Sequence, residues 1–244
     1  MLHPLQVPDF NPLLLRDDPV SIFLMTKNKN KKKPWPTKDA MVQIYEENLW
    51  GGNKTEFYSG LGSHHPGLVD PYVGTVAAFL KSFKTPPVVC DLGCGDFNVG
   101  KELVQYSKNY IALDIVPDLI AHNKKDFKAE NLEFQVLDIA EEDLPSGECA
   151  ILRQVLQHLS NAEIKSVVEK LYTYKYIIVT EHLPEVSFEP NKDIISGQGI
   201  RLKKQSGVNI TAPPFNFKAR GEKQILSVKH PGFKGVVVTT LYRV

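Results

Sequence analysis

Cysteine is scarce in this chain. Three residues in 244, at positions 90, 94 and 149, make an odd number with no Cys-x-x-Cys pair. That argues against a disulfide framework and reads the thiols as small buried residues in a reducing compartment. An excess of either charge is also missing: 29 Lys and Arg against 28 Asp and Glu give +1, so no basic field argues for nucleic acid as an obligate partner. No apolar run approaches the ~20 residues of a membrane span. Met1-Leu2-His3-Pro4 has no basic n-region and is followed by Pro8 and Pro12, so no signal peptide is expected and a cytoplasmic protein is. The adjacent pair His64-His65 diverges and has no third ligand nearby in sequence, so no metal site is expected. The length suits one α/β domain with decorations and is short for two full domains.

What is present is organised around Val88–Asp96. The apolar run Val88-Val89-Cys90 reads as a buried parallel strand that ends in Asp91-Leu92-Gly93-Cys94-Gly95. Two closely spaced glycines let the backbone turn tightly and approach a ligand with no Cβ in the way. Val99, Leu103 and Val104 fall at roughly helical spacing, so a helix is expected after the turn, its N-terminus facing the ligand. A dinucleotide fingerprint would place a third glycine three residues after Gly95, and Asn98 stands there instead.

Along the chain, residues 1–36 form an N-terminal arm with apolar patches, ending in a lysine-rich run over 27–33 that reads as a solvated linker or an electrostatic hook for an acidic substrate. The apolar patches are suited to packing across the domain or forming a homodimer. Residues 37–244 then make a single domain. Thr37 is placed to cap a helix carrying Met41, Ile44 and Tyr45 on one face. The segment from Trp50 through Ser59, Ser63 and His64 is rich in Gly, Ser and aromatics, and its amides and hydroxyls suit a carboxylate or a sugar. Further strands are expected at 110–115, 132–139, 148–153 and 176–181, and a closing antiparallel pair at 223–229 and 235–244. Ser160 and Glu163 form a capping box for another helix. Residues 184–221, rich in Pro, Gly and Asn, are too long for an idle loop and read as a lid. The fold class is therefore α/β: a doubly wound, mostly parallel seven-stranded sheet with an antiparallel closing strand.

Acids at three strand ends in order, Asp91, Asp114 and Asp138, with the glycine turn, resemble the class I, Rossmann-like S-adenosylmethionine-dependent methyltransferases. A narrower resemblance lies in Tyr45, Asn48, Trp50 and Gly51; in Ser59, Gly60, Gly62 and Ser63; in Cys94–Asn98; and in Arg153 through Ser160. These are similar to a bacterial subgroup of that family often found among genes for cell-surface carbohydrate, as are Asn191, Asp193 and the run Pro213–Phe217. The resemblance spans roughly residues 41–228 and departs at Gln154, where the subgroup carries an acid.

It implies S-adenosyl-L-methionine as cofactor and S-adenosyl-L-homocysteine as product. Asp91, Gly93, Cys94 and Gly95 would shape the cofactor corner. Asp114 with Ile115 would meet the ribose, Asp138 with Ile139 the adenine, and Trp50 and Arg153 would complete the site. For an oxygen acceptor a base is required, and His158, Glu181 and His182 are the candidates. Ser59, Ser63, His64, Asn191, Asp193 and Asn216 are candidate contacts to the substrate, a small molecule such as a sugar or sugar nucleotide. No Asn-Pro-Pro-Tyr follows the fourth strand, which disfavours a planar exocyclic nitrogen as acceptor. Three other readings stand beside this one: a catalytically silent cofactor-binding scaffold, a nicotinamide-dependent oxidoreductase, and a nucleic-acid or protein methyltransferase using the lysine run.

Overall fold

The computed structural model describes residues 35–53, 56–232 and 234–244. Seven strands form one sheet: β1 (Val88–Leu92), β2 (Asn109–Asp114), β3 (Leu132–Val136), β4 (Cys149–Arg153), β5 (Tyr176–Leu183), β6 (Gly221–Val228) and β7 (Val236–Arg243). Their order is β3-β2-β1-β4-β5-β7-β6. The first five pair in parallel, and β7 runs antiparallel to both β5 and β6. Six strands thus share one direction and β7 alone opposes them, as a doubly wound sheet with a closing strand requires.

Continuous apolar runs make the central strands because both faces are covered. Val89, Cys90, Leu92 and Cys149–Leu152 are fully buried or nearly so. One face packs on α1 (Thr37–Glu46) and α5 (Asn161–Lys170), joining Ile44 and Ile164 to Leu92, Leu113 and Val179. The other packs on α3 (Pro66–Lys81), where Tyr72 and Val76 meet Val89, Ala112 and Ile151. The short α2 (Leu61–His64) precedes α3, and α4 (Pro117–Asp126) begins with Pro117 in its first turn, where a missing N–H costs nothing. The described residues belong to one compact unit. None of their helices is long and apolar enough to cross a membrane.

Several local expectations are corrected. No α-helix follows the glycine corner; two 3-10 turns, Gly100–Glu102 and Val104–Tyr106, stand in its place. Phe97 explains this: it takes a positive φ of 60° to bury its ring against Tyr110, Phe127 and Phe134, which breaks the helical start. Thr37 is the first helical residue rather than the cap, and its hydroxyl donates to Glu163 instead. Between β4 and α5 the chain makes one 3-10 turn, Leu156–His158. Ser160 and Glu163 do form the capping box. The arm, its lysine run and any dimer made through it fall on residues 1–36, of which 1–34 lie outside the described residues.

Between β5 and β6, residues 184–220 contain only the 3-10 turn Arg201–Lys204 as regular structure. Two buried side chains hold the segment in place. Arg201 donates from Nε to Lys192 O (3.0 Å), from Nη1 to Leu156 O (3.2 Å), and from Nη2 to Leu159 O and Asn161 Oδ1 (2.8 Å each). Asn191 donates to Asn209 O and Pro213 O and accepts from Asn209 N, all at 2.8 Å. An irregular segment lacks ladder partners, so side chains satisfy its carbonyls.

Candidate active site

A cavity of about 360 Å³ opens at the carboxyl ends of the parallel strands, where the strand order reverses between β1 and β4. Open α/β sheets bind ligands at that crevice. Its floor is the turn after β1. Gly93 and Gly95 hold φ of 90° and 56°, and a Cβ would strike Val155 at 2.5 Å from the first and the Ser59 hydroxyl at 2.4 Å from the second. Glycine is required at both positions for conformation and for space. The Gly93 and Cys94 amides donate to Leu113 O, tying the turn to the end of β2.

The three acids occupy different electrostatic settings along this floor. Asp114 accepts from Gly95 N and Val116 N, both at 3.1 Å, while burial pushes its carboxyl up to about 6. The Ile115 amide also reaches it, so of a carboxylate's roughly four acceptor positions about one remains for a ligand. Asp91 accepts the Tyr110 hydroxyl at 2.9 Å, and burial pushes it up to about 7. Asp138, beyond β3, accepts from Ala140 N at 2.9 Å. Ile115, Leu137 and Ile139 add apolar wall beside these acids.

A fourth acid, Asp96, locks the Gly/Ser loop onto the corner. It accepts from Ser59 N (2.7 Å), Asn98 N (3.2 Å) and the His64 ring (2.5 Å), and its own amide donates to Ser59 Oγ (2.7 Å). Its place just after the second glycine was the visible signal for this role. Ser59 is further engaged by the Tyr45 hydroxyl at 2.9 Å. His64 stacks on Tyr58 with ring centroids 4.3 Å apart and does not line the cavity. Ser63 does line it and accepts from Arg153 Nη1 at 3.2 Å, while Nη2 donates to Gly62 O at 2.6 Å.

The far end of the cavity lies over β4, β5 and β7. His158 packs at a tilt against Trp50 (ring centroids 5.0 Å apart) and donates from Nδ1 to Gly197 O at 3.1 Å. Its Nε2 therefore carries the lone pair and meets Gln157 Nε2 at 3.2 Å. Burial pushes this imidazole down to about 4, so it is neutral at pH 7. Gln198 lines the same end and donates to Leu49 O at 2.6 Å, fastening residues 184–221 to the loop that carries Trp50. His182 projects from the end of β5. The Lys234 backbone bonds its ring, and its buried Nε2 has no partner.

The structure thus brings Trp50, Ser59, Ser63, Asp91, Gly93, Cys94, Gly95, Asp114, Ile115, Asp138, Ile139, Arg153, His158 and His182 to one cavity. It leaves five expected residues elsewhere. Glu181 alternates with His182 along β5 and so points to the opposite face, buried and beside Arg201. Asn191 is consumed by backbone bonds of its own segment. Asp193 accepts from Asn161 N and Ile194 N, and Asn216 is exposed and donates to Pro214 O. His64 belongs to the Asp96 lock. Among lining residues the sequence did not single out, Tyr72 presents a hydroxyl from α3; its only sequence signal was a place on the buried face of that helix.

Comparison with known proteins agrees with this geometry. Residues 89–174 match the family model of a methyltransferase domain. No protein of curated function matches the chain. Among solved structures, the N-methyltransferase NodS from Bradyrhizobium japonicum WM9, in complex with S-adenosyl-L-homocysteine, is similar with a TM-score of 0.63 at 11% identity. The match covers 84% of this chain and 98% of that one. The 1,6-didemethyltoxoflavin-N1-methyltransferase of Burkholderia thailandensis has a TM-score of 0.55 at 13% identity, covering 85% and 87%. Magnesium protoporphyrin IX methyltransferase from Synechocystis PCC 6803 has a TM-score of 0.53 at 14% identity, covering 85% and 98%. At these identities the likeness is one of fold.

Proposed function

We infer that this chain, with a methyltransferase domain over residues 89–174, is an S-adenosylmethionine-dependent methyltransferase acting on an oxygen of a small polar acceptor such as a carbohydrate. The observation that carries the reading is one continuous cavity, with acids from three successive strand ends along its floor and two histidines, His158 and His182, at its far end. The structural neighbours include proteins determined with S-adenosylmethionine or S-adenosylhomocysteine.

The residues present fit that cofactor. Asp114 retains an acceptor position for a ribose hydroxyl, and Asp91 offers an oxygen whose ionisation an incoming ammonium would favour. Ile139 and Leu137 suit an adenine face beside Asp138. A dinucleotide fits less well. The Asn98 amide, where a pyrophosphate would seek donors, is already taken by the Asp96 carboxylate, and a negative charge stands where the phosphates would lie.

When bound, S-adenosylmethionine supplies a methyl group on a sulfonium, which departs as a neutral thioether. What the chain contributes is alignment and removal of the acceptor's proton. His182 is the better-placed base. The Lys234 backbone bonds its ring, and its buried Nε2 makes no hydrogen bond and lies beside Gly235 at the cavity wall. His158 acts as a wall and orienting group, because its two nitrogens are held by Gly197 and Gln157. Glu181 lies on the other face of β5 and has no role at the acceptor.

The test is release of S-adenosylhomocysteine from S-adenosylmethionine with a panel of sugars, sugar acids and amines. The reading expects turnover on hydroxyl acceptors that falls at least a hundredfold in His182→Ala and less in His158→Ala. Product formed only with amines would move the acceptor atom to nitrogen. Cofactor binding with no turnover on any acceptor would leave the silent scaffold.

A further inference from the structure

Arg153 is a half-buried cation without a counter-ion. No carboxylate among the described residues makes an ion pair with it, and Asp91 acts on it only at longer range. Its Nη1 and Nη2 are engaged by Ser63 and Gly62, whereas its Nε is buried with no partner. Arg201, which is fully buried, makes a contrast, since carbonyls and an amide oxygen satisfy its donors. Retaining an unpaired buried donor on a charged group costs free energy unless something arrives to meet it.

Two further under-satisfied atoms belong to the same wall. The Tyr72 hydroxyl, 2% exposed as a residue, is approached only by the Thr180 hydroxyl, which also bonds Thr239, so its own proton has no acceptor; its ring lies under the Arg153 guanidinium at 4.9 Å. His182 Nε2 is the third. The sheet register explains their meeting: Arg153 pairs with Thr180 across β4 and β5, and His182 lies two residues beyond Thr180 on the same face, over β7. This wall stands over β4 and β5, away from Asp114 and Asp138 at the ends of β2 and β3.

We propose that Arg153 Nε and the Tyr72 hydroxyl form a carboxylate-binding subsite for the methyl acceptor, which is a hydroxylated organic acid whose reacting hydroxyl is presented to His182. The proposal rests on the methyltransferase reading above and names the acceptor class for that site. Two free donors match the two oxygens of a carboxylate, and the guanidinium supplies its charge. A phosphate, with three oxygens and nearly two charges, would leave an oxygen unmet. The carboxylate is a handle and not the nucleophile, because an oxyanion stabilised by a guanidinium loses the basicity that methyl transfer needs.

The test uses full-length protein saturated with S-adenosylhomocysteine and calorimetric titration of paired probes. These are D-glucuronate against D-glucose, D-gluconate against sorbitol, and D-glucose 6-phosphate. At least one acid should bind tenfold or more tighter than its neutral partner. That preference should be lost in Arg153→Met and reduced several-fold in Tyr72→Phe, which removes one oxygen and leaves the packing. S-adenosylhomocysteine affinity should be unchanged in Tyr72→Phe. Acids that bind no tighter than neutral partners overturn the proposal, as does a sugar phosphate that outbinds them through Arg153. Loss of S-adenosylhomocysteine binding in Arg153→Met also overturns it by moving that arginine to the cofactor. Wild-type protein that never binds S-adenosylhomocysteine would instead refute the methyltransferase reading beneath it.

Discussion

Replacing Glu181 with Gln should stabilise the protein at neutral pH and flatten its pH dependence. Glu181 is 3% exposed, and its carboxyl oxygens have no side-chain partner and only the Gln157 backbone amide approaching them. Burial pushes it up to about 8 from an ordinary 4.5, against the opposing pull of Arg201. The native state therefore keeps this proton over a range in which the unfolded chain releases it. With more protons bound when folded, stability falls as pH rises from about 4.5 and levels off above about 8. At pH 7 the loss is roughly 3 kcal/mol, taking about 1.4 kcal/mol for each pH unit between the two ionisations. Glutamine keeps the shape and cannot ionise, although its amide brings donors that need partners at a cost of about 1 kcal/mol. For a domain of this size 1 kcal/mol moves Tm by roughly 2–4 °C. The assay is thermal unfolding of wild type and Glu181→Gln from pH 5 to 8. The two should lie close together at pH 5 and separate by several degrees at pH 8, with the variant higher. Parallel curves across the range would show that Glu181 is ionised in the native state and refute the reasoning.

Other consequences follow from the same geometry. Cofactor affinity should decline as pH falls below about 6, because Asp114 must be ionised to accept hydroxyls fully and burial already holds it near that value; titrations at pH 5 and 7.5 check this. Gly95→Ala should abolish cofactor binding and lower Tm, since its Cβ would meet Ser59 Oγ at 2.4 Å and break the Asp96 lock. Arg201→Met should cost about 3–5 kcal/mol in denaturant unfolding, because the carbonyls it satisfies are left buried and unmet. Ser160→Ala should cost only about 1 kcal/mol, the ordinary value of an N-cap.

Strand ends were the most legible part of this chain. A parallel strand covered on both faces must be a short apolar run, so Val88–Leu92 and Tyr110–Asp114 announce themselves, and the acid that ends each run is visible. The helix expected after Gly95 was misread because Phe97 obeys tertiary burial rather than local propensity. The polar residues of 184–221 were read as substrate contacts when Asn191 and Asp193 serve backbone groups that an irregular segment leaves unpaired. Glu181 and His182 are adjacent in sequence and were taken together, yet strand alternation sends them to opposite faces. The acceptor wall was hidden for another reason: Tyr72, Arg153 and His182 come from three elements and meet only through sheet register.

The most direct test of the central claim is calorimetric titration of the purified protein with S-adenosylmethionine, S-adenosylhomocysteine and NAD, with Asp114→Ala alongside. The account predicts micromolar binding of the first two, loss of both in the variant, and no binding of NAD. A preference for NAD, or affinity for S-adenosylmethionine that survives Asp114→Ala, would contradict it.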